Sequence, residues 1–311
     1  MKSLFKILFN FFNKKFLGYL EFNYFNYNLS TKESKPVFIL GAPRSGTTIL
    51  MQIIINNFDF CYFSNWHLYF YGFPALLKKF FFINIKNKKV KYISNYGNTF
   101  GLDQPNEMGS WWYRFFKQGD FQSIKEKINY LDQKKFIKSL LLFSYFYKKP
   151  FINKNVYNSL RIESINDCFK NSLFIVIKRK KIDNCISILN ARTQNGNINK
   201  WWSIPIKRKK FRNIYEEVVH QVTDTNQYID KTLKKIKKDR NQILHISYEN
   251  LCNNPDETLN NLDLFFKKND LFIKKNKKSI SGVKKIKNQQ YKNFHNLITA
   301  LQKISKNNAF N

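Results

Sequence analysis

Residues 36–55 read PVFILGAPRSGTTILMQIII, and the segment GAPRSGTT carries residue types suited to gripping a phosphate. Gly41 and Gly46 stand five apart, as in the phosphate loops of nucleotide kinases, and the loop opens into a segment with helical spacing. The first amides of such a helix have no intrahelical partner, and with the helix dipole they form an anion site. A kinase loop then requires Lys followed by Ser or Thr, whose hydroxyl holds Mg²⁺. Here Thr47 takes the lysine's place, Thr48 follows, and Ser45 and Gly46 complete the turn. The cation comes instead from Arg44 inside the loop, where a planar guanidinium can bridge a phosphate and the group leaving it. No strand end offers a convincing acidic metal ligand, so the reading includes no metal. A loop that holds phosphate without arranging a metal suits transfer of a group less charged than a terminal phosphoryl, and sulfuryl fits that description.

These side chains need a rigid frame. Val37–Leu40 are four apolar residues bounded by Pro36 and Gly41, the pattern of a strand buried on both faces. Residues 60–63, 151–152, 173–177 and 243–246 read the same way, while 48–58 and 215–236 have helical spacing. The alternation predicts an α/β fold, a P-loop-type parallel β-sheet flanked by helices, with helical insertions. At 311 residues the chain is long enough for one substantial core. We expect an amphipathic helical extension over 1–35 and a single domain over 36–311.

A second segment narrows the chemistry. In LFIVIKRKKIDNCIS a buried strand runs into Arg179, with Asp183 four residues on and Ser187 eight on, so that Arg179 ends the strand and Ser187 rides the next helix. Together with GAPRSGTT this resembles the sulfotransferases that use 3′-phosphoadenylyl sulfate (PAPS), in particular the branch whose loop reads PRSGTT. The family's second motif has the same Arg, Asp and Ser spacing, although its usual Pro is here Lys181. The resemblance implies that Arg44, Ser45, Gly46, Thr47 and Thr48 grip the donor and that Arg179 and Ser187 take its 3′-phosphate. ILHISYENLCNNP is similar to the family's strand followed by Tyr-Glu-Asp/Asn-Leu and a Pro, which implies that Tyr248 lines the nucleotide pocket and Glu249 is structural. FINKNVYNSLRI resembles the strand and Asn-Lys pair that bring a lysine to the sulfuryl group, making Lys154 the candidate. A later stretch, SGVKKIKN, resembles a loop that closes over the 3′-phosphate, with Ser281, Lys284 and Lys287 as contacts.

Sulfuryl transfer to a hydroxyl or amine needs a base for the acceptor proton and cations for charge building on the bridging oxygen. Many enzymes of the PRSGTT branch place a Glu where this chain has Asn65, in YFSNWHLYFYG, and an amide cannot usefully take the proton. Two substitutes stand nearby in sequence: His67, and Glu107 in YGNTFGLDQPNEMGSWWYRFF. Both segments resemble bacterial sulfotransferase-like sequences, which favours Glu107. Trp111, Trp112, Trp201 and Trp202 form two pairs that either stack on a flat acceptor or pack in the core, and Arg192 is a further candidate to reach the nucleotide or an acidic acceptor. The expected activity is sulfuryl transfer from PAPS to a hydroxyl or amine, with a carbohydrate or other small molecule as acceptor.

The charge balance is 54 Lys and Arg against 21 Asp and Glu, a net +33. Such an excess points to an acidic partner, but Lys, Asn, Ile and Phe together with only 10 Gly and 7 Pro also fit an AT-rich coding sequence. Two rivals follow. A phosphate-loop kinase would need the missing lysine and an acidic Mg²⁺ ligand, and a non-catalytic binder of nucleic acid or membrane would rest on charge alone, without any recognised nucleic-acid motif. Four scattered cysteines with no CxxC spacing argue against a disulfide framework or zinc site and for a reducing, cytoplasmic setting. The opening MKSLFKILFNFFNKKFLGYL looks like a signal peptide, but Lys6 and Asn10 interrupt its apolar run and no small-residue cleavage site follows. Its spacing gives an amphipathic helix that either packs on the domain or rests on a membrane as a peripheral contact.

Overall fold

In a computed structural model describing residues 2–23, 29–32, 34–80, 94–95, 98–208, 210–276 and 295–308, Val37–Leu40 (β1) has no exposed side chain because it has a strand on either side. Ile152–Lys154 (β2) lies on one side, with Val37 opposite Ile152 and Ile39 opposite Lys154. Leu173–Lys178 (β3) lies on the other, with Val37 opposite Leu173 and Leu40 opposite Val176. Ile243–Ser247 (β4) pairs beyond it, Phe174 opposite Ile243 and Lys178 opposite Ser247. The order is β2-β1-β3-β4 and every pairing is parallel, an α/β sheet flanked by helices. Parallel strands end at a common edge, so Gly41, Lys154, Arg179 and Tyr248, each at or just past a strand's carboxyl end, emerge on one side of the sheet. Open α/β sheets bind their ligands in the crevice outside that edge.

Residues 60–63, expected as a strand, do not form one. They are buried, but Cys61 bridges once to Phe151, through Cys61 N–H to Pro150 C=O at 2.9 Å and Ile152 N–H to Cys61 C=O at 3.0 Å. The ladder stops because Ser64 caps the 3₁₀ turn Asn65–Phe70, which bends the chain off the sheet edge. The helix expected over 48–58 spans Thr47–Asn57, and that over 215–236 spans Ile214–Lys235, started by Asn213, whose side chain accepts from the Tyr215 and Glu216 amides.

Trp111 and Trp112 are fully buried, edge to face with ring centroids 5.1 Å apart, and both pack on Phe136 of the helix Tyr130–Tyr147. With no exposed face they are core residues, as burial of such large rings favours. Trp201 lies over the Arg192 guanidinium at 5.5 Å.

The N-terminal segment is helical over Lys2–Phe11, widens to a π-helix at Phe12–Leu17 and returns to α-helix at Gly18–Asn23. Its buried residues Asn13, Leu17 and Glu21 recur every four positions and form one stripe against the body. Asn13 accepts from the Gly72 amide at 2.9 Å, where a Cβ on residue 72 would collide with the Asn13 backbone. Glu21 pairs with Arg114 at 2.8 Å and accepts from Ser139, which accepts from the Trp111 indole at 2.9 Å. Burial pushes the Glu21 carboxyl up in pKa against the lowering pull of Arg114. No helix among the described residues is long and apolar enough to cross a membrane.

Candidate active site

The turn from β1 into Thr47–Asn57 is built on two residues in the left-handed region, Arg44 at φ 65° and Gly46 at φ 103°. A turn of this kind aims successive amides at one point, which makes a concavity for an anion. Only glycine fits at 46, since a Cβ there would collide with the Tyr248 ring. Arg44 Nε donates to Ser187 Oγ at 3.1 Å, and Arg179 Nη1 donates to the Arg44 carbonyl at 3.3 Å while its guanidinium lies 4.5 Å from the Tyr248 ring centre. Three separate stretches of the chain thus meet around the loop. Thr47 is buried and Thr48 half-buried in the first helical turn. Glu249 accepts from the Lys180 amide at 3.0 Å and from Ser247, bracing the ends of β3 and β4.

On the neighbouring strand end, Lys154 is buried and forms an ion pair with Glu107, whose side chain is 33% exposed. The backbone around Glu107 is clamped by amides. Asn155 Nδ2 donates to the Glu107 carbonyl at 3.1 Å, Asn106 Nδ2 donates to Asn65 Oδ1 at 2.6 Å, and Asn65 Nδ2 donates to the Gly101 and Thr99 carbonyls at 2.7 and 3.0 Å. Glu107 opens onto a cavity of about 440 Å³ lined also by Asn65, Thr99, Asn106, Tyr113 and Tyr157. A carboxylate on the cavity wall can take a proton from an entering hydroxyl or amine, and the ammonium paired with it can stabilise developing negative charge.

The sulfotransferase family matches residues 36–267, three quarters of the chain and every stretch just described. The chain belongs to the sulfotransferase family. Among solved structures, sulfotransferase STF1 from Mycobacterium tuberculosis shares its fold at TM-score 0.51 and 12% identity, over 82% of this chain and 73% of that one. Sulfotransferase STF9 from Mycobacterium avium aligns at TM-score 0.51 and 13% identity over 76% of this chain, which spans 64% of STF9. No curated protein sequence matches the chain.

In this member of the family the residues of the glycine loop fit a bound anion. Ser45 Oγ and Arg179 Nε are buried there with no hydrogen-bond partner among the described residues, and oxygens of a phosphate would satisfy both. Two residues that sequence reasoning passed over hold the loop from behind. Ser159 Oγ bonds both the amide and the carbonyl of Gly41 at 3.2 Å, and Asn184 donates to the Pro43 carbonyl. Ser159 lies five residues past Lys154, in the segment already singled out, but a bond spanning 118 positions leaves no local trace. Among the described residues no three His, Cys, Asp or Glu side chains gather closely enough to hold a metal ion. The stretch containing Ser281, Lys284 and Lys287 lies outside the described residues.

His67 and Arg192 are placed differently from the other candidates. His67 has no exposed surface; its Nδ1 accepts from the Ser64 amide at 2.9 Å and its Nε2 lies 3.1 Å from the Tyr147 hydroxyl. Burial lowers its pKa to about 3. It is a capping residue of the 3₁₀ turn, with no face for an acceptor. Arg192 is fully buried against Glu217 and Gln221, and Gln221 in turn donates to the Trp202 and Ile204 carbonyls, so this arginine anchors the Trp201–Trp202 loop.

The buried imidazole makes a prediction about pH. Its folded pKa is depressed, so between pH 6.5 and about 3 the unfolded state binds a proton that the folded state refuses. The stabilisation is fully present above pH 6.5 and falls as pH drops toward 3, by up to about 1.4 kcal/mol per unit. Urea unfolding of the wild type and of His67→Gln across that range should show the variant's slope shallower by about one proton; equal slopes would place the imidazole in water.

Proposed function

We propose that the chain is a PAPS-dependent sulfotransferase that moves the sulfuryl group to a hydroxyl or amine of a small acceptor, with residues 36–311 as one catalytic domain, 1–35 as an extension, and a cytoplasmic setting. The observation that carries this reading is that Arg44, Arg179 and Ser187 join around the glycine loop after β1 while the Lys154–Glu107 pair stands at the end of the adjacent strand. Arg44, Ser45 and the amides of Gly46, Thr47 and Thr48 hold the donor's 5′-phosphate. Arg179 and Ser187 take its 3′-phosphate, and the Tyr248 ring borders the nucleotide. The acceptor, a small molecule such as a sugar, enters the cavity beside Glu107, bordered by the rings and hydroxyls of Tyr113 and Tyr157. Glu107 takes the acceptor proton as the acceptor oxygen or nitrogen bonds to sulfur and the sulfur–oxygen bond to the phosphate breaks. Lys154 donates to the oxygen that inherits the negative charge, leaving 3′-phosphoadenosine 5′-phosphate (PAP), the sulfated acceptor and a protonated Glu107 that returns its proton to water.

PAP, the product nucleotide, should raise the melting temperature as strongly in EDTA as in magnesium, because none of the residues proposed to touch it is a carboxylate that would hold a metal. At a concentration of about 100 Kd the stabilisation is about 2.7 kcal/mol. ATP, NAD and S-adenosylmethionine are the comparison ligands. Stabilisation by ATP that requires magnesium would replace this reading with a kinase, and weak salt-sensitive polyanion binding without PAP affinity would replace it with a non-catalytic basic protein.

A further inference from the structure

The N-terminal helix buries one stripe, packs Phe9 and Leu20 partly against the body, and leaves most of its other apolar side chains in solvent. Between Leu4 and Tyr19, eight large hydrophobic side chains are exposed, Phe5 by 72%, Phe11 by 63%, Phe16 by 54% and Tyr19 by 66% among them. Monomers rarely leave so contiguous a patch uncovered unless something docks on it. Phe12 and Phe16 stack at 5.3 Å, one turn of the widened π-segment apart, which sets two rings side by side on the outer surface. The polar residues between these side chains carry one sign. Residues 2–20 contain Lys2, Lys6, Lys14 and Lys15 and no acid; the first acid, Glu21, is buried with its charge met by Arg114. Lys6, Lys14 and Lys15 are exposed.

We propose that this face docks the protein on an anionic lipid bilayer, the phenylalanines entering the boundary between headgroups and acyl chains and the lysines meeting anionic headgroups. Charge selects this occupant. A two-fold contact between copies sets a patch against itself. Here that would bring lysines to lysines with no exposed carboxylate on residues 2–21 to answer them, Glu21 being buried against Arg114. Anionic headgroups answer each lysine, and a helix whose exposed residues are aromatic and aliphatic side chains interspersed with lysines has the composition of an interfacial helix. The buried Asn13, Leu17 and Glu21 fix the helix to the body, so docking carries the whole domain to the surface.

The test is co-sedimentation of the full chain with phosphatidylcholine vesicles, with and without phosphatidylglycerol. The wild type should sediment with the anionic vesicles, release at high salt, and stay in solution with neutral ones. Phe12→Ser/Phe16→Ser should weaken the partition about tenfold. Lys14→Ala should weaken it about fivefold. All three positions are exposed, so both variants should keep the wild-type melting temperature and PAP stabilisation, which separates this surface from the donor site. Wild-type binding to neither vesicle, equal binding to both, or unchanged partition of Phe12→Ser/Phe16→Ser would overturn the proposal. A dimer in solution that the phenylalanine variant dissolves would overturn it in favour of a second copy.

Discussion

Glu107→Gln should lower sulfuryl transfer by about 10²–10⁴ while leaving PAP affinity nearly unchanged, the range expected when a general base is removed. Gln keeps the size of the side chain and can still accept a hydrogen bond from Lys154, so the loss isolates proton acceptance. The Glu107 backbone is held independently, by Asn155 on its carbonyl and by the Asn65–Asn106 clamp, so the loop should stay in place without the carboxylate. The measurement is transfer of labelled sulfate from PAPS to a phenol or sugar acceptor, alongside PAP titration by calorimetry. Near-normal turnover of Glu107→Gln would remove Glu107 from the chemistry and shift the burden to Arg44 and Lys154. His67→Asn, by contrast, should cost stability and spare the turnover of the molecules that remain folded, because the imidazole is fully buried.

Arg179→Ala should weaken PAP by about ten- to a hundredfold, since a hydrogen bond between charged partners contributes about 1.5–3 kcal/mol. Arg179 also donates to the Arg44 carbonyl and stacks on Tyr248, so part of any loss would come from a loosened loop. Adenosine 5′-phosphosulfate separates the two contributions, because it needs the same loop but lacks the 3′-phosphate. It should lose much less than PAP does. Equal losses for both ligands would make Arg179 a brace for the loop and leave the 3′-phosphate to other residues.

The contrast between Arg179 and His67 shows what sequence conveys here. The position of Arg179 at the end of β3, with Ser187 on the next helix, was legible because a strand running into a helix dictates where residues four and eight positions further on lie, whereas its role toward a 3′-phosphate came from the resemblance alone. The apolar runs of β1, β3 and β4 were legible for the same reason, being too short and too uniformly apolar for much else in an α/β chain. Residues 60–63 show the same apolar run yet make only one bridge, because the bend at Ser64 that ends the ladder depends on the His67 side chain returning to the Ser64 amide. Burial of His67 and of the Trp111–Trp112 pair depends on distant Phe63, Phe136 and Phe143, which no local spacing reveals. The Glu107–Lys154 ion pair joins two segments each noticed alone, but nothing in either predicted their contact. Asn65, set aside as an inert replacement for an acid, belongs to the clamp that holds the acid's substitute.

Ser159 closes a short circuit in the chain. It lies five positions past Lys154, and its hydroxyl is bonded to both sides of Gly41. The glycine loop and the lysine end of β2 are therefore two ends of one ruler whose length is counted in residues. Substitutions along 155–158 leave that count alone, whereas inserting or deleting one residue would slide Lys154 away from the loop or tear Ser159 from Gly41. This stretch therefore has little room to change its length, and Asn155, which also holds the Glu107 carbonyl, limits its letters as well.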